Sequence, residues 1–185
     1  ALSIDGSGRV SSPQGLGMNH LLTDTISSAV AQYDIDSTYI NSDYDSYEIE
    51  FVLRSSSDND HLRNKVFVGG TLQTGNIYSW VTGSQGDTNV GASTQDGFRL
   101  NRFSVGNETG AFIGGRMRLQ NVNSTSFPYM QTGQSVSYKY SDGAFTGTDF
   151  SGGLILANRA DIVNGIRFYY GANIESGTIK VYGIK

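Results

Sequence analysis

Glu48 and Glu50 stand two residues apart in Tyr47-Glu48-Ile49-Glu50-Phe51-Val52-Leu53. On an extended strand that spacing puts both carboxyl groups on one face, roughly 6–7 Å apart, a separation that glycoside hydrolysis could use. The same alternation describes a solvated strand face above a core side of Tyr47, Ile49, Phe51 and Leu53, and the segment is read that way. Just upstream, Asp34, Asp36, Asp43 and Asp45 alternate with Tyr33, Tyr39, Tyr44 and Tyr47. Acid beside tyrosine lines many sugar sites, through ring stacking and hydroxyl hydrogen bonds, and it also makes up many wet protein interfaces. Asp43, Tyr44, Asp45 and Tyr47 are therefore the candidate glycan or interface contacts. Asp58-Asn59-Asp60 offers oxygen ligands at the spacing of a calcium loop, but the glycine and bidentate glutamate that complete such a loop do not follow. It reads as a solvated loop, and no metal site is expected. His61 follows that loop without the strained elbow or oxyanion nest of a nucleophilic site, so it reads as a loop or interface residue; His20 has no partner that suggests a role. Neither a phosphate-cradling loop before a helix nor a zinc spacing is present, so no cofactor, no catalytic residue and no enzyme is expected.

Composition narrows the classes further. The chain has 185 residues, one domain's worth, and no cysteine, which removes disulfide scaffolds, thiolate metal sites and thiol nucleophiles. The net charge is -4 and the 13 Lys and Arg are scattered singly along the sequence, so no basic stripe and no nucleic-acid partner is expected. No apolar run approaches the roughly 20 residues of a membrane span, and Ala1-Leu2-Ser3-Ile4-Asp5 lacks the pattern of a signal peptide; a soluble chain with no membrane partner is expected.

The elements that must position these residues are strands. With 24 glycines, 2 prolines, 11 tyrosines and 9 phenylalanines, the chain has the balance of an all-β protein with many turns. Helix should be minor; the nearest candidate, 21–31, is interrupted by Asp24, Ser27 and Ser28. Alternating runs fall near Val30 and at 47–53, 62–68, 78–81, 97–105, 112–119, 136–140, 153–157, 165–170 and 178–184. Turn residues separate them, including Gly69-Gly70, Gly83-Ser84-Gln85-Gly86-Asp87, Gly106-Asn107-Glu108-Thr109-Gly110, Ser141-Asp142-Gly143 and Asn164-Gly165. Between the last two strands, Gly171-Ala172-Asn173 and Glu175-Ser176-Gly177 predict a closing hairpin. Such a pattern fits a jelly-roll-like antiparallel β-sandwich over 24–185, with a closed barrel as the alternative. Residues 1–23 carry only isolated apolar side chains and read as an extended N-terminal arm for anchoring or oligomer contact, with Leu2, Ile4, Arg9 and Val10 as partner-binding candidates.

Several motifs carry a resemblance. Asn173-Ile174-Glu175-Ser176-Gly177 followed by Tyr182-Gly183-Ile184, Tyr44-Asp45 before Ser46-Tyr47-Glu48-Ile49, and Gly106-Asn107 with Gly110 before Gly115-Arg116-Met117-Arg118-Leu119 are similar to stretches of small jelly-roll virion proteins of tailed bacteriophages. The opening Ser3-Ile4-Asp5-Gly6-Ser7-Gly8-Arg9-Val10, followed by Pro13, resembles the amino-terminal segments of phage fibre and appendage proteins. The chain departs from that pattern at Gly69-Gly70-Thr71-Leu72, where many relatives have a longer loop, and in its polar 55–60 stretch. The resemblance implies a non-enzymatic structural protein of the virion, assembled in the host cytoplasm. Its first form is a capsid decoration or cement protein that docks through the arm on other virion proteins such as the major capsid protein. The alternative is a tail or head fibre module that recognises a host surface glycan. A homo-oligomer, a trimer, is expected in either case.

Overall fold

Apolar and β-branched residues at every second position, broken by glycine turns, leave the chain one economical way to bury apolar surface: strands packed face to face. The computed structural model describes residues 3–4, 10–11, 17–84, 87–139, 143–154 and 162–185. Among them there is no helix, and the strands in chain order are β1 (Ser3–Ile4), β2 (Val10–Ser11), β3 (Met18–Ile26), β4 (Val30–Ile35) and β5 (Ser46–Ser55). Next come β6 (Arg63–Val68), β7 (Thr71–Leu72), β8 (Tyr78–Ser84), β9 (Asp87–Gln95) and β10 (Phe98–Arg99). The last four are β11 (Ile113–Gln120), β12 (Met130–Lys139), β13 (Ala144–Leu154) and β14 (Val163–Ile184).

β1 and β2 pair only with each other, and the remaining strands form one antiparallel sheet that runs β10-β6-β14-β5-β11-β12-β13-β8-β9, with β3 and β4 also on β14 and β7 on β6. β14 folds this sheet into two layers. Its first half, Ile166 to Tyr169, lies between β4 and β6, while its second half, Gly177 to Ile184, lies between β3 and β5. Asp60 holds the bend between the halves, its carboxylate accepting the amides of Gly171 (3.0 Å) and Ala172 (2.9 Å). The small layer is thus β4, the first half of β14, β6, β7 and β10, and the large layer holds the other strands of the sheet. Phe51 meets Phe168 across the gap, with ring centroids 5.7 Å apart, and Tyr78 meets Phe98 at 4.8 Å. Asn64 and Gln131 exchange amide hydrogen bonds between the layers at 2.8 and 3.1 Å, so these buried polar groups keep partners out of water. The fold is a jelly-roll-like antiparallel β-sandwich.

β5 follows the predicted alternation, with Tyr47, Ile49, Phe51 and Leu53 buried and Glu48 and Glu50 on the opposite side. Burying each of these large side chains contributes about 1.5–3 kcal/mol relative to leaving it exposed. At Gly69 and Gly70, φ of 55° and 80° makes the turn between β6 and β7, a conformation that costs a side-chain-bearing residue energy.

Several expectations need correction. In place of a closing hairpin there is one 22-residue strand, because the chain changes partners at Gly171 to Ser176 through register shifts and never reverses. Asn164-Gly165 also sits inside that strand, at a further shift. Met18 to Thr23, assigned to the arm, pair with β14 from Ile184 to Lys180, so the arm's last residues belong to the sheet. The 97–105 segment is a strand only at Phe98–Arg99, because from Leu100 onward its polar groups turn to side-chain and bridge partners. β9 was not foreseen; it closes a hairpin on β8, Ser84 opposite Asp87, where the sequence suggests only a turn. β12 and β13 begin earlier than predicted, and 155–157, the end of one expected strand, lies outside the described residues.

Candidate functional site

Of the arm candidates, Leu2 and Arg9 lie outside the described residues, and Ile4 and Val10 face each other as backbone partners in the β1–β2 ribbon. The acid and tyrosine cluster is divided by burial. Tyr47 is fully buried, which corrects its place among surface contacts: its hydroxyl donates to the Asn41 carbonyl (2.7 Å) and accepts the Asn41 amide (2.8 Å). Burial, opposed by that backbone bond, raises its pKa. Tyr44 is half-buried, edge-on to Tyr47 at 5.8 Å, with Gly183 against its ring and the Lys185 ammonium 5.7 Å from its centre. Asp43 and Asp45 remain exposed on the loop before β5, which Asn123 ties down through the carbonyls of Asn41 and Tyr44. Asp34 is occupied by a two-pronged bond from Arg167, both contacts 2.7 Å.

The loop acids serve the backbone. Asp58 accepts the Asn107 amide (2.8 Å), and Asp60 accepts the His61 amide (2.7 Å) besides the two at the β14 bend. Among the described residues no group of three or more His, Asp or Glu side chains is placed to hold a metal ion. His20 lies on β3, bonded to Thr23 at 2.7 Å and edge-on to Tyr182.

On the outer face of the large layer the register lines side chains up across strands. One row reads Lys180, Glu50, Arg116, Gln134, Asp149, and charges of opposite sign fall beside one another. Glu50 lies 3.8 Å from Lys180 and accepts the Tyr182 hydroxyl at 3.3 Å, while Gln134 donates to Asp149 at 2.9 Å. The neighbouring row is Thr178, Val52, Gly114, Val136 and Gly147. With no side chain at Gly114, an open trough of about 790 Å³ forms over β14, β5, β11 and β12, and Glu50, Val52, Arg116 and Val136 are among its walls. Val52 (50 % exposed), Val136 (47 %) and Phe145 (62 %) present apolar surface on this face, the last against Phe112 and Tyr138. Glu50 thus has a cation beside it, and Glu48, opposite Arg118 in the register, lies on the same outer side of β5.

The outer face of the small layer is different, and the sequence reading missed it. His61, Arg63 and Lys65 alternate, so they share one side of β6 and the residues leading into it. Pairing places Arg99 opposite Arg63 and Arg167 opposite Lys65, so cations scattered singly in sequence converge in space. Two are neutralised: Lys65 by Asp96 and Arg167 by Asp34, both at 2.7 Å. Burial opposes the charge on Asp96, but Lys65, the Gly75 amide and, farther off, Arg63 hold its pKa below the usual value. His61 accepts a hydrogen bond on Nε2 from Arg99 (2.8 Å), and the Asn101 side-chain amide nitrogen lies 3.4 Å from its Nδ1. Burial, followed by Arg99 and Arg63, pushes its pKa down to about 4 against a weaker pull from Asp60, so the ring is neutral near pH 7. Strict alternation in His-Leu-Arg-Asn-Lys was the available signal; the Arg99 register was not legible.

With this geometry in hand, no family model, no curated protein and no solved structure matches the chain.

Proposed function

We propose that the chain is a non-enzymatic structural protein of a tailed-phage virion, a capsid decoration or cement protein that assembles as a trimer and docks on other virion proteins such as the major capsid protein. The sequence resemblance supplies the phage context. The observation that carries the docking role is the large-layer face, where exposed Val52 and Val136 line a trough and exposed Phe145 lies beside Val136 in the adjoining hollow. Exposed apolar side chains grouped on one face mark interaction surfaces. A module that binds across capsid joints adds its binding energy to the stability of the shell.

A second reading is favoured by the same trough's polar wall. Glu50, Arg116, Gln134 and Lys180 offer donors and acceptors to sugar hydroxyls beside apolar patches, as a fibre module recognising a host surface glycan would require. Phage carrying Val52→Asp with Val136→Asp tests the docking role. Both side chains are about half exposed, so the fold should tolerate the changes. Particles are expected to lose the protein; wild-type occupancy would reject docking through this face. Deleting the whole gene separates the readings: lower heat resistance of filled heads with normal adsorption supports the cement role, and lost adsorption from equally robust heads supports the fibre. Removing the arm must stop at residue 16, since β3 starts at Met18. That truncation should leave the sandwich folded while particles lose the protein.

A further inference from the structure

Arg63 and Arg99 are direct cross-strand partners on β6 and β10, and both point outward from the small layer. Side chains so placed have Cβ atoms about 4.5–5.5 Å apart, and like charges there repel. Among the described residues, no carboxylate lies within 4.0 Å of either guanidinium: Asp96 is taken by Lys65, Asp34 by Arg167, and Asp60 by three backbone amides. Arg99 is nevertheless held firmly. Its Nε donates to the Asn101 carbonyl at 2.7 Å, and its Nη2 to the Arg102 carbonyl and to His61 Nε2. Trp80 lies beneath the guanidinium, 6.0 Å from its carbon to the ring. Among the described residues Nη1 has no acceptor. Arg63 has no protein hydrogen bond among the described residues. A fixed guanidinium fork beside an uncommitted one, with no acid to match them, is what two-point recognition of a planar or tetrahedral oxyanion requires.

We infer that Arg63 and Arg99 form a binding site for one oxyanion group, a carboxylate or a phosphate, on the outer face of the small layer. Neutral His61 orients Arg99 without adding charge of its own. Burial, then Arg63 and Arg102, push the Arg99 pKa down to about 10, as expected where cations gather without compensation. An arriving anion relieves that repulsion. The site lies on the layer opposite the trough and operates wherever the chain sits in a particle.

Thermal unfolding of the purified protein tests the site, with chloride replaced at equal ionic strength by inorganic phosphate or by sodium galacturonate. The melting temperature of the unaltered chain is expected to rise in at least one of them, and the anion that raises it identifies the oxyanion the site takes. Arg63→Gln should weaken the apparent affinity about tenfold or more, the usual order for losing a charge-assisted bond, while melting in chloride at the same or a higher temperature. Arg118→Gln, exposed on the other face and outside the trough, should keep the full rise. No rise with either anion, an equal rise in Arg63→Gln, or a lower melting point of that variant in chloride would overturn the site.

Discussion

The two outer faces of this sandwich are built by the same rule and end with opposite character. On β5 the outward positions are Glu48 and Glu50, and their neighbours across the ladder are Arg118, Arg116 and Lys180, so each acid meets a cation. On β6 the outward positions are Arg63 and Lys65, and their neighbours include Arg99 and Arg167, so the charges accumulate until Asp96 and Asp34 offset part of them. Side-chain alternation sets which residues face out, but cross-strand register decides what each one meets. A face whose acids meet cations around a glycine becomes a trough that can accept a broad partner. A face left with two unmatched guanidiniums becomes a point of attachment for one charged group.

The largest expected effect separates two adjacent glycines of the large layer. A Cβ on Gly115 would stand 2.4 Å from the Gln134 carbonyl oxygen and 2.9 Å from Phe51 inside the core, whereas one on Gly114 meets Phe112 and Val52 at an ordinary 3.6 Å. Gly115→Ala should cost about 1–3 kcal/mol by overpacking, and Gly114→Ala should stay within about 0.5 kcal/mol while narrowing the trough. Urea midpoints measure both, and equal losses would remove the distinction between the floor of the trough and the core beneath it.

A smaller effect belongs to the basic face. The His61 pKa falls from 6.5 in an open chain to about 4 in the fold. Between those values the unfolded chain binds a proton that the folded one does not, so this contribution is complete above pH 6.5 and is lost as pH drops toward 4. Allowing for solvent screening of a partly exposed ring, it amounts to about 1 kcal/mol. Comparing pH-dependent melting of the unaltered chain with His61→Gln isolates it, and identical profiles would show the ring to be unperturbed. The smallest effect is Glu48→Gln with Glu50→Gln, which should change stability by no more than about 0.5 kcal/mol because exposed ion pairs contribute little. A larger loss in denaturant titration would mean that charge balance on the trough face is structural.

The sequence made the strand class legible because β5 alternates without interruption, and its buried and exposed sides agree with the structure residue by residue. It misled at Gly171-Ala172-Asn173 because turn-prone residues also suit a bend between register shifts, and only the partners on either side decide between turning back and continuing. Tyr47 looked like a ligand contact beside Asp43 and Asp45, yet its position on the core side of β5 already pointed inward. The Arg63–Arg99 pair had no local signal, since its members are brought together by a two-residue strand that the surrounding polar loop conceals.

β14 is made last among the described strands, yet β3, β4, β5 and β6 all pair with it. Strands synthesised early must therefore wait, with unsatisfied edges, for a partner far along the chain. Contacts so distant in sequence slow folding into the range of milliseconds to seconds. A growing chain stalled before Val163 would hold apolar strand edges open to its neighbours, so the interval between translating β6 and translating β14 is when this protein is most exposed to aggregation.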